Sequence, residues 1–100
     1  MPSLVVTVRL WVKDARFSEF ADFETRAFKI MAHHGVEIVS IAQDHVQTLS
    51  DGPHETHILK FSDSAAFEAY RADPALLALS DLRDACTART EIAIQQSALN

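Results

Sequence analysis

The stretch Ser3-Leu4-Val5-Val6-Thr7-Val8-Arg9-Leu10-Trp11-Val12-Lys13 decides the fold. Its residues alternate with a period of two. Leu4, Val6, Val8, Leu10 and Val12 fall on one side, and Val5, Thr7, Arg9, Trp11 and Lys13 on the other. A strand with that pattern puts one face in a core and leaves the other mixed. From Phe17 to His34 the period lengthens. Phe20, Phe23, Ala27, Ile30 and Met31 recur at three and four, with Glu19, Asp22, Thr25, Arg26 and Lys29 between them, which predicts an amphipathic helix. Asp14 or Ser18 would cap its start, and Gly35 would end it by accepting a left-handed backbone.

Val36 to Asp44 is β-branched and strand-like, and Ser50-Asp51-Gly52-Pro53 marks a reversal before a second strand, His54 to Phe61, so the two pair as a hairpin. Ser62 or Asp63 would cap a helix carrying Ala66, Phe67 and Tyr70. Pro74 must break or kink it, because proline removes a donor and pushes Asp73 out of the helical region. Leu76, Leu77, Leu79, Leu82 and Cys86 continue helically. A closing strand from Arg89 to Gln95 sets Thr90, Ile92 and Ile94 against Arg89, Glu91, Ala93 and Gln95, and Ser97 to Asn100 reads as a frayed tail. The order is βαββαβ. It predicts an α+β, ferredoxin-like sandwich: a four-stranded antiparallel sheet with two helices on one face. The other face would carry Val5, Trp11, Ile58 and Ala93, too apolar a set for solvent alone, so the chain is expected to dimerise through its sheet.

One hundred residues, 48% of them apolar, match a single domain spanning 1–100. With 14 acidic residues against 9 lysines and arginines, the net charge is −5, and no basic stripe exists to neutralise a phosphate backbone, so nucleic acid is not an expected partner. Cys86 is the sole cysteine, which rules out an intrachain disulfide and a cysteine-based zinc site, and it reads as a buried, inert thiol. Arg9 interrupts the apolar start, no small-residue cleavage site follows it, and no long apolar run occurs elsewhere. The expectation is a soluble cytoplasmic protein with no membrane partner.

The segments Val5 to Lys13, His34-Gly35, Glu55-Thr56-His57-Ile58-Leu59-Lys60-Phe61-Ser62 running into Phe67-Glu68-Ala69-Tyr70, and Asp73-Pro74 through Leu82-Arg83 together resemble the dimeric α/β-barrel superfamily. That group includes antibiotic-biosynthesis-monooxygenase-like domains and several sets of unknown function. The resemblance implies a homodimer in which two sheets meet face to face, with a pocket between sheet and helices or inside the barrel. Some relatives oxidise small aromatic or polyketide substrates without metal or flavin, and others degrade haem. The haem-degrading branch uses a site asparagine, whereas the sole asparagine here is Asn100.

Five histidines raise the question of a metal. His54 and His57, three apart on a strand, point to opposite faces and would not share an ion. His33 and His34 would satisfy the last carbonyls of their helix, and His45 would be a solvated loop residue. No metal and no cofactor are expected, and a composite site of His34, His57 and an acidic residue is the weaker alternative. The more promising set lies on the polar sheet face. Thr7, Arg9 and Trp11 share it with Glu91 and Ala93, and with Thr56, Ile58 and Lys60. Arg9, Trp11, Lys60 and Glu91 could bind a small anionic or aromatic ligand. The plainer reading is an Arg9–Glu91 ion pair with Trp11 at a dimer interface. His57 and Glu91 are the candidates for acid–base work. Three functions stay open: a small-molecule-binding dimer, a cofactor-independent monooxygenase-like enzyme, and a structural dimerisation domain.

Overall fold

The computed structural model describes residues 3–48 and 50–96. Along the chain run β1 (Leu4–Val12), α1 (Phe17–His33), β2 (Glu37–Gln43), β3 (Glu55–Phe61), α2 (Ser64–Arg71), α3 (Pro74–Leu77), α4 (Ser80–Cys86) and β4 (Thr87–Gln96). The strands form one antiparallel sheet in the order β2-β3-β1-β4, so β1 and β3 are central and β2 and β4 are edges. This is the expected α+β, ferredoxin-like arrangement. The expected tail, Ser97–Asn100, lies outside the described residues.

Alternation sets the two faces of the sheet. Leu4, Val6, Leu10 and Val12 of β1 and Leu59 and Phe61 of β3 are buried on the helix side, where they meet Phe20, Ile30 and Met31 of α1 and Phe67 and Tyr70 of α2. Phe61 stands edge-on to Phe67 at 5.0 Å between ring centres, a geometry aromatic pairs favour over face-to-face stacking. Cys86 is fully buried, beside Leu10, Val12 and Phe20. The helices cover the centre of the sheet and leave its edges bare, and Ile92 and Ile94 of β4 stay about half exposed.

Some local expectations are corrected. Neither Asp14 nor Ser18 caps α1. Ala15 turns through φ +60° and Arg16 takes the cap position without a side-chain cap bond, the first turn being held instead by an Arg16–Glu19 ion pair at 2.7 Å. Gly35, at φ +67°, ends the helix as expected. Asp63, not Ser62, caps α2, accepting from the Ala66 amide. Asp73 caps α3 through the Ala75 amide, with Pro74 at the first helical position, where its missing N–H costs nothing. The leucine-rich helix beyond Pro74 is not continuous. It breaks again at Ala78–Leu79, where the Ser80 hydroxyl donates to the Leu77 carbonyl, so a bent arm α2–α4 replaces one second helix. Among the described residues, no helix is long and apolar enough to cross a membrane.

Candidate functional site

Two charged residues occupy positions that the packing reserves for core. Glu55 opens β3 on the same parity as Leu59 and Phe61, so its side chain enters the helix-side layer and is 1% exposed. His57, two residues on, shares that face and is 4% exposed. Glu24 joins them from α1, where it lies four residues after Phe20 and three before Ala27, inside the apolar stripe.

The three side chains satisfy one another. His57 Nε2 lies 2.8 Å from Glu55 Oε1 and 3.0 Å from Glu24 Oε2. The other Glu55 oxygen meets His45 Nε2 at 2.7 Å and accepts from Gln43 Nε2 at 3.2 Å. Burial works to lower the His57 pKa, but hydrogen bonds with Glu24 and Glu55 overcome it and the pKa is raised. Burial pushes Glu24 up, and the neighbouring Glu55 carboxylate adds to this against the pull of His57. Glu55 is held low despite its burial by hydrogen bonds with Glu24, His57 and His45. Two carboxyl groups sharing one imidazole thus differ in proton affinity, Glu24 holding a proton more readily than an ordinary carboxyl and Glu55 less readily, the kind of separation that distinguishes a proton-transferring group from a fixed anion. Of the two, Glu24 is the one that faces open space.

That space is a cavity of about 320 Å³ between the sheet and the helices, within the usual range of small-ligand sites. Val8 and Leu59 form its floor, Phe28 and Met31 of α1 one wall, and Tyr70 and Leu76 of the arm the other. Glu24 and His57 bring largely buried polar groups to this lining. The Tyr70 hydroxyl is pushed up to about 12 by burial and so stays neutral. The arm is tied to α1 by His34, whose Nε2 lies 2.8 Å from Asp73 Oδ2.

The histidines therefore serve other ends than expected. His34 clamps two elements instead of satisfying the last carbonyls of α1, because Asp73 at the α2–α3 break offers it a charged partner. His45 is not simply solvated; it donates toward Glu55 and packs on Phe17 at 4.8 Å between ring centres. His54 Nδ1 accepts from the Val12 amide and stays apart from His57. The composite of His34, His57 and an acid does not assemble, since His34 is absent from the cluster. Glu24, Glu55 and His57 offer one ligand atom each within 4.8 Å, a spacing open to a divalent cation only after His57 loses its Nε2 proton. With the proton in place they form charge-assisted hydrogen bonds instead.

The open-face candidates lie across the sheet from this cavity. Arg9 pairs in register with Glu91, at 3.9 Å between Nη1 and Oε1, and the two edge a shallow depression with Thr7 and Ala93. Trp11 pairs with Arg89, whose guanidinium lies 4.5 Å from the indole ring and also binds Glu91, while the indole N–H donates to the Asp51 carbonyl. Lys60 sits opposite Val5, four residues along β1 from Arg9 and thus roughly 13 Å away. Arg9, Trp11 and Glu91 are brought together, and Lys60 is not. His57 and Glu91 occupy opposite faces and cannot act in one site. Glu24 and Glu55 escaped the sequence reading. Their signal was present, an acid inside each core pattern.

Solved structures with this fold include a dabb family protein with a ferredoxin-like fold from Mesorhizobium loti, 21% identical over all of both chains with a TM-score of 0.75. SnoaB, a cofactor-independent oxygenase from Streptomyces nogalater, is 17% identical over 100% of this chain and 97% of its own, at a TM-score of 0.73. A dimeric protein of unknown function and ferredoxin-like fold from Bacteroides fragilis is 8% identical over 95% and 96% of the two chains, at 0.73. These neighbours share the fold that the sequence resemblance to the dimeric α/β-barrel superfamily implied. No curated protein matches the sequence. A family model does match, over residues 6–97, and the chain belongs to that family, DUF1330, a domain of unknown function.

Proposed function

We propose that this protein binds a small, mainly apolar organic molecule in the cavity between sheet and helices, and that Glu24 and His57 move a proton at its inner end. The observation that carries this reading is the placement of a buried, mutually hydrogen-bonded Glu24–His57–Glu55 cluster at the wall of a mainly apolar cavity. Glu24 takes the proton and its raised pKa suits the task, His57 holds the carboxyl in place, and Glu55 fixes His57. The reaction class is removal of an acidic proton from a ligand whose anion the dry cavity protects from water.

Cofactor-independent oxygenation is the second reading, favoured by the proton-transfer pair and by the fold shared with SnoaB. The substrate carbanion would reduce dioxygen, the resulting peroxide would take up a proton, and loss of water would leave a carbonyl where two C–H bonds had been. On either reading the chain works as a homodimer joined through its open sheet face. That assignment is supported by the half-buried Val5, Trp11 and Ile58 there and by the dimeric neighbour from Bacteroides fragilis. Arg9, Trp11 and Glu91 then belong to the seam and Lys60 to its border. A ligand within the seam, contacting those four residues, is the alternative to one in the cavity.

The test is binding, deuterium exchange and oxygen uptake with a panel of phenols and aromatic 1,3-diketones. Glu24→Gln should abolish exchange of the acidic C–H while leaving affinity within a few-fold, and Phe28→Trp, which fills the cavity, should abolish binding. Exchange that survives Glu24→Gln removes the assigned base, and binding that survives Phe28→Trp but is lost in Trp11→Ala moves the ligand to the seam.

A further inference from the structure

The protein carries a net charge of −5, yet among the described residues the acidic and basic side chains lining the cavity are Glu24, His57, Arg71 and Arg83, with Glu24 the one carboxylate. Arg71, at the end of α2, and Arg83, in α4, stand about half exposed, so they mark the mouth, while Glu24 and His57 lie inside. Their own acidic neighbours hold them loosely. Arg71 Nη1 is 3.9 Å from Glu68 Oε1, and Arg83 Nε is 3.4 Å from Asp84 Oδ1, both in exposed positions. Arg71 is also held over the ring of Phe67, 5.3 Å from its centre, and Phe67 itself lines the cavity. A cation pinned over an aromatic wall at the rim of an apolar chamber still has guanidinium N–H donors to offer an anion.

We propose that the cavity selects an anionic amphiphile: an apolar, aromatic-sized body enclosed by the sheet and helices, with a carboxylate or sulfonate held by Arg71 and Arg83 at the mouth. The inference rests on the cavity being the ligand site, and it adds an orientation, anion outward and reacting end toward Glu24. Water-exposed carboxylates on the rest of this acidic surface would repel such a ligand, so the two arginines would also be what draws it in.

A matched pair of fluorescent probes tests this. 8-Anilino-1-naphthalenesulfonate and N-phenyl-1-naphthylamine share one skeleton, and only the first is charged. The sulfonate should bind the native protein about tenfold or more tighter than the neutral amine. In the Arg71→Gln/Arg83→Gln double variant that preference should fall to about twofold, with the neutral probe's affinity unchanged, which also reports an intact cavity. Raising the salt concentration should weaken the sulfonate alone. Equal affinities in the native protein, or a sulfonate preference that survives the double substitution, overturn the proposal and leave the cavity reading standing. If neither probe binds, the cavity reading falls and this inference with it.

Discussion

Ile58 and Leu59 are neighbours on β3, and they belong to different environments. Leu59 points into the helix-side layer and is 2% exposed, whereas Ile58 faces the open side and is half-buried. The same contrast runs across the whole sheet. On the helix side, Glu24, Glu55 and His57 share hydrogen bonds out of water, and each shifts the others' proton affinity. On the open side, Arg9 and Glu91 meet at 3.9 Å with both side chains well exposed, and such pairs contribute roughly 0–1 kcal/mol. Charge chemistry in this fold therefore depends less on which residues are present than on which parity of the strand they occupy. A one-residue shift in register would exchange the two sets.

The largest expected effect follows from that parity. Leu59→Ala should cost about 3–5 kcal/mol in urea unfolding, from lost transfer energy plus the void left in a packed layer. Ile58→Ala should cost about 1 kcal/mol in dilute protein. Equal losses would mean that the open face is already covered in solution, and a loss for Ile58→Ala that grows with protein concentration would identify a second copy as the cover.

Within the helix-side layer, the two acids should respond unequally. Glu55→Gln removes, at a position 1% exposed, the anion that both His57 and His45 meet, and breaking such a buried pair costs about 3 kcal/mol. Glu24→Gln should be near neutral for stability, because burial already disfavours its charge. The measurement is the urea midpoint of each variant at neutral pH. Similar losses for both would show that the two acids are not differentiated by their surroundings.

The pH dependence of stability separates the same groups. His57 has a raised pKa in the folded chain, so its contribution is complete below its ordinary value of 6.5 and disappears as pH rises through the raised one. Glu24, also raised, works in the same direction from 4.5 upward. Glu55 and Asp73 have lowered values, so their contributions are present above 4.5 and 3.8 and are lost as pH falls. Stability should therefore be highest near pH 4.5, ease as Glu24 loses its proton above that, and decline further above 6.5 as His57 loses its own. His57→Gln should flatten that alkaline decline, read as urea midpoints from pH 5 to 9. A decline that persists in His57→Gln would assign it to groups outside the cluster.

The fold was legible because period and punctuation agree along the whole chain. Alternation in Leu4–Val12 fixed the faces of β1, and Gly35, the Ser50–Pro53 reversal and Pro74 marked the joins. The break at Ala78–Leu79 was not legible, since a leucine-rich run reads as helix whether or not a serine hydroxyl takes the Leu77 carbonyl. The candidate site was half legible. His57 was singled out, but Glu24 and Glu55 were passed over because a helix or strand reading collects the apolar members of a pattern and sets charges aside. An acid at a core position is itself the signal, since burying it alone is costly and a partner must exist. What the pattern cannot supply is which element brings that partner. Only the packing of α1 on β3 sets Glu24 against His57.

The smallest expected effect bears most directly on the open face. Arg9→Gln, which removes the cation facing Glu91, should change the stability of the separate chain by less than about 0.5 kcal/mol, because the pair is exposed and Arg89 remains to accompany Glu91. Covered by a second copy, the same pair would lose its water, and the substitution would leave Glu91 in a drier seam. The change should then appear in association, seen by sedimentation as a weaker dimer, with no matching change in the unfolding of dilute protein. Trp11→Ala should weaken that association further, since it removes the aromatic surface on which Arg89 rests. If both variants sediment as the unaltered chain does at every concentration, the open face is not the seam, and the half-buried Val5, Trp11 and Ile58 are simply the inner surface of a sheet that stands alone.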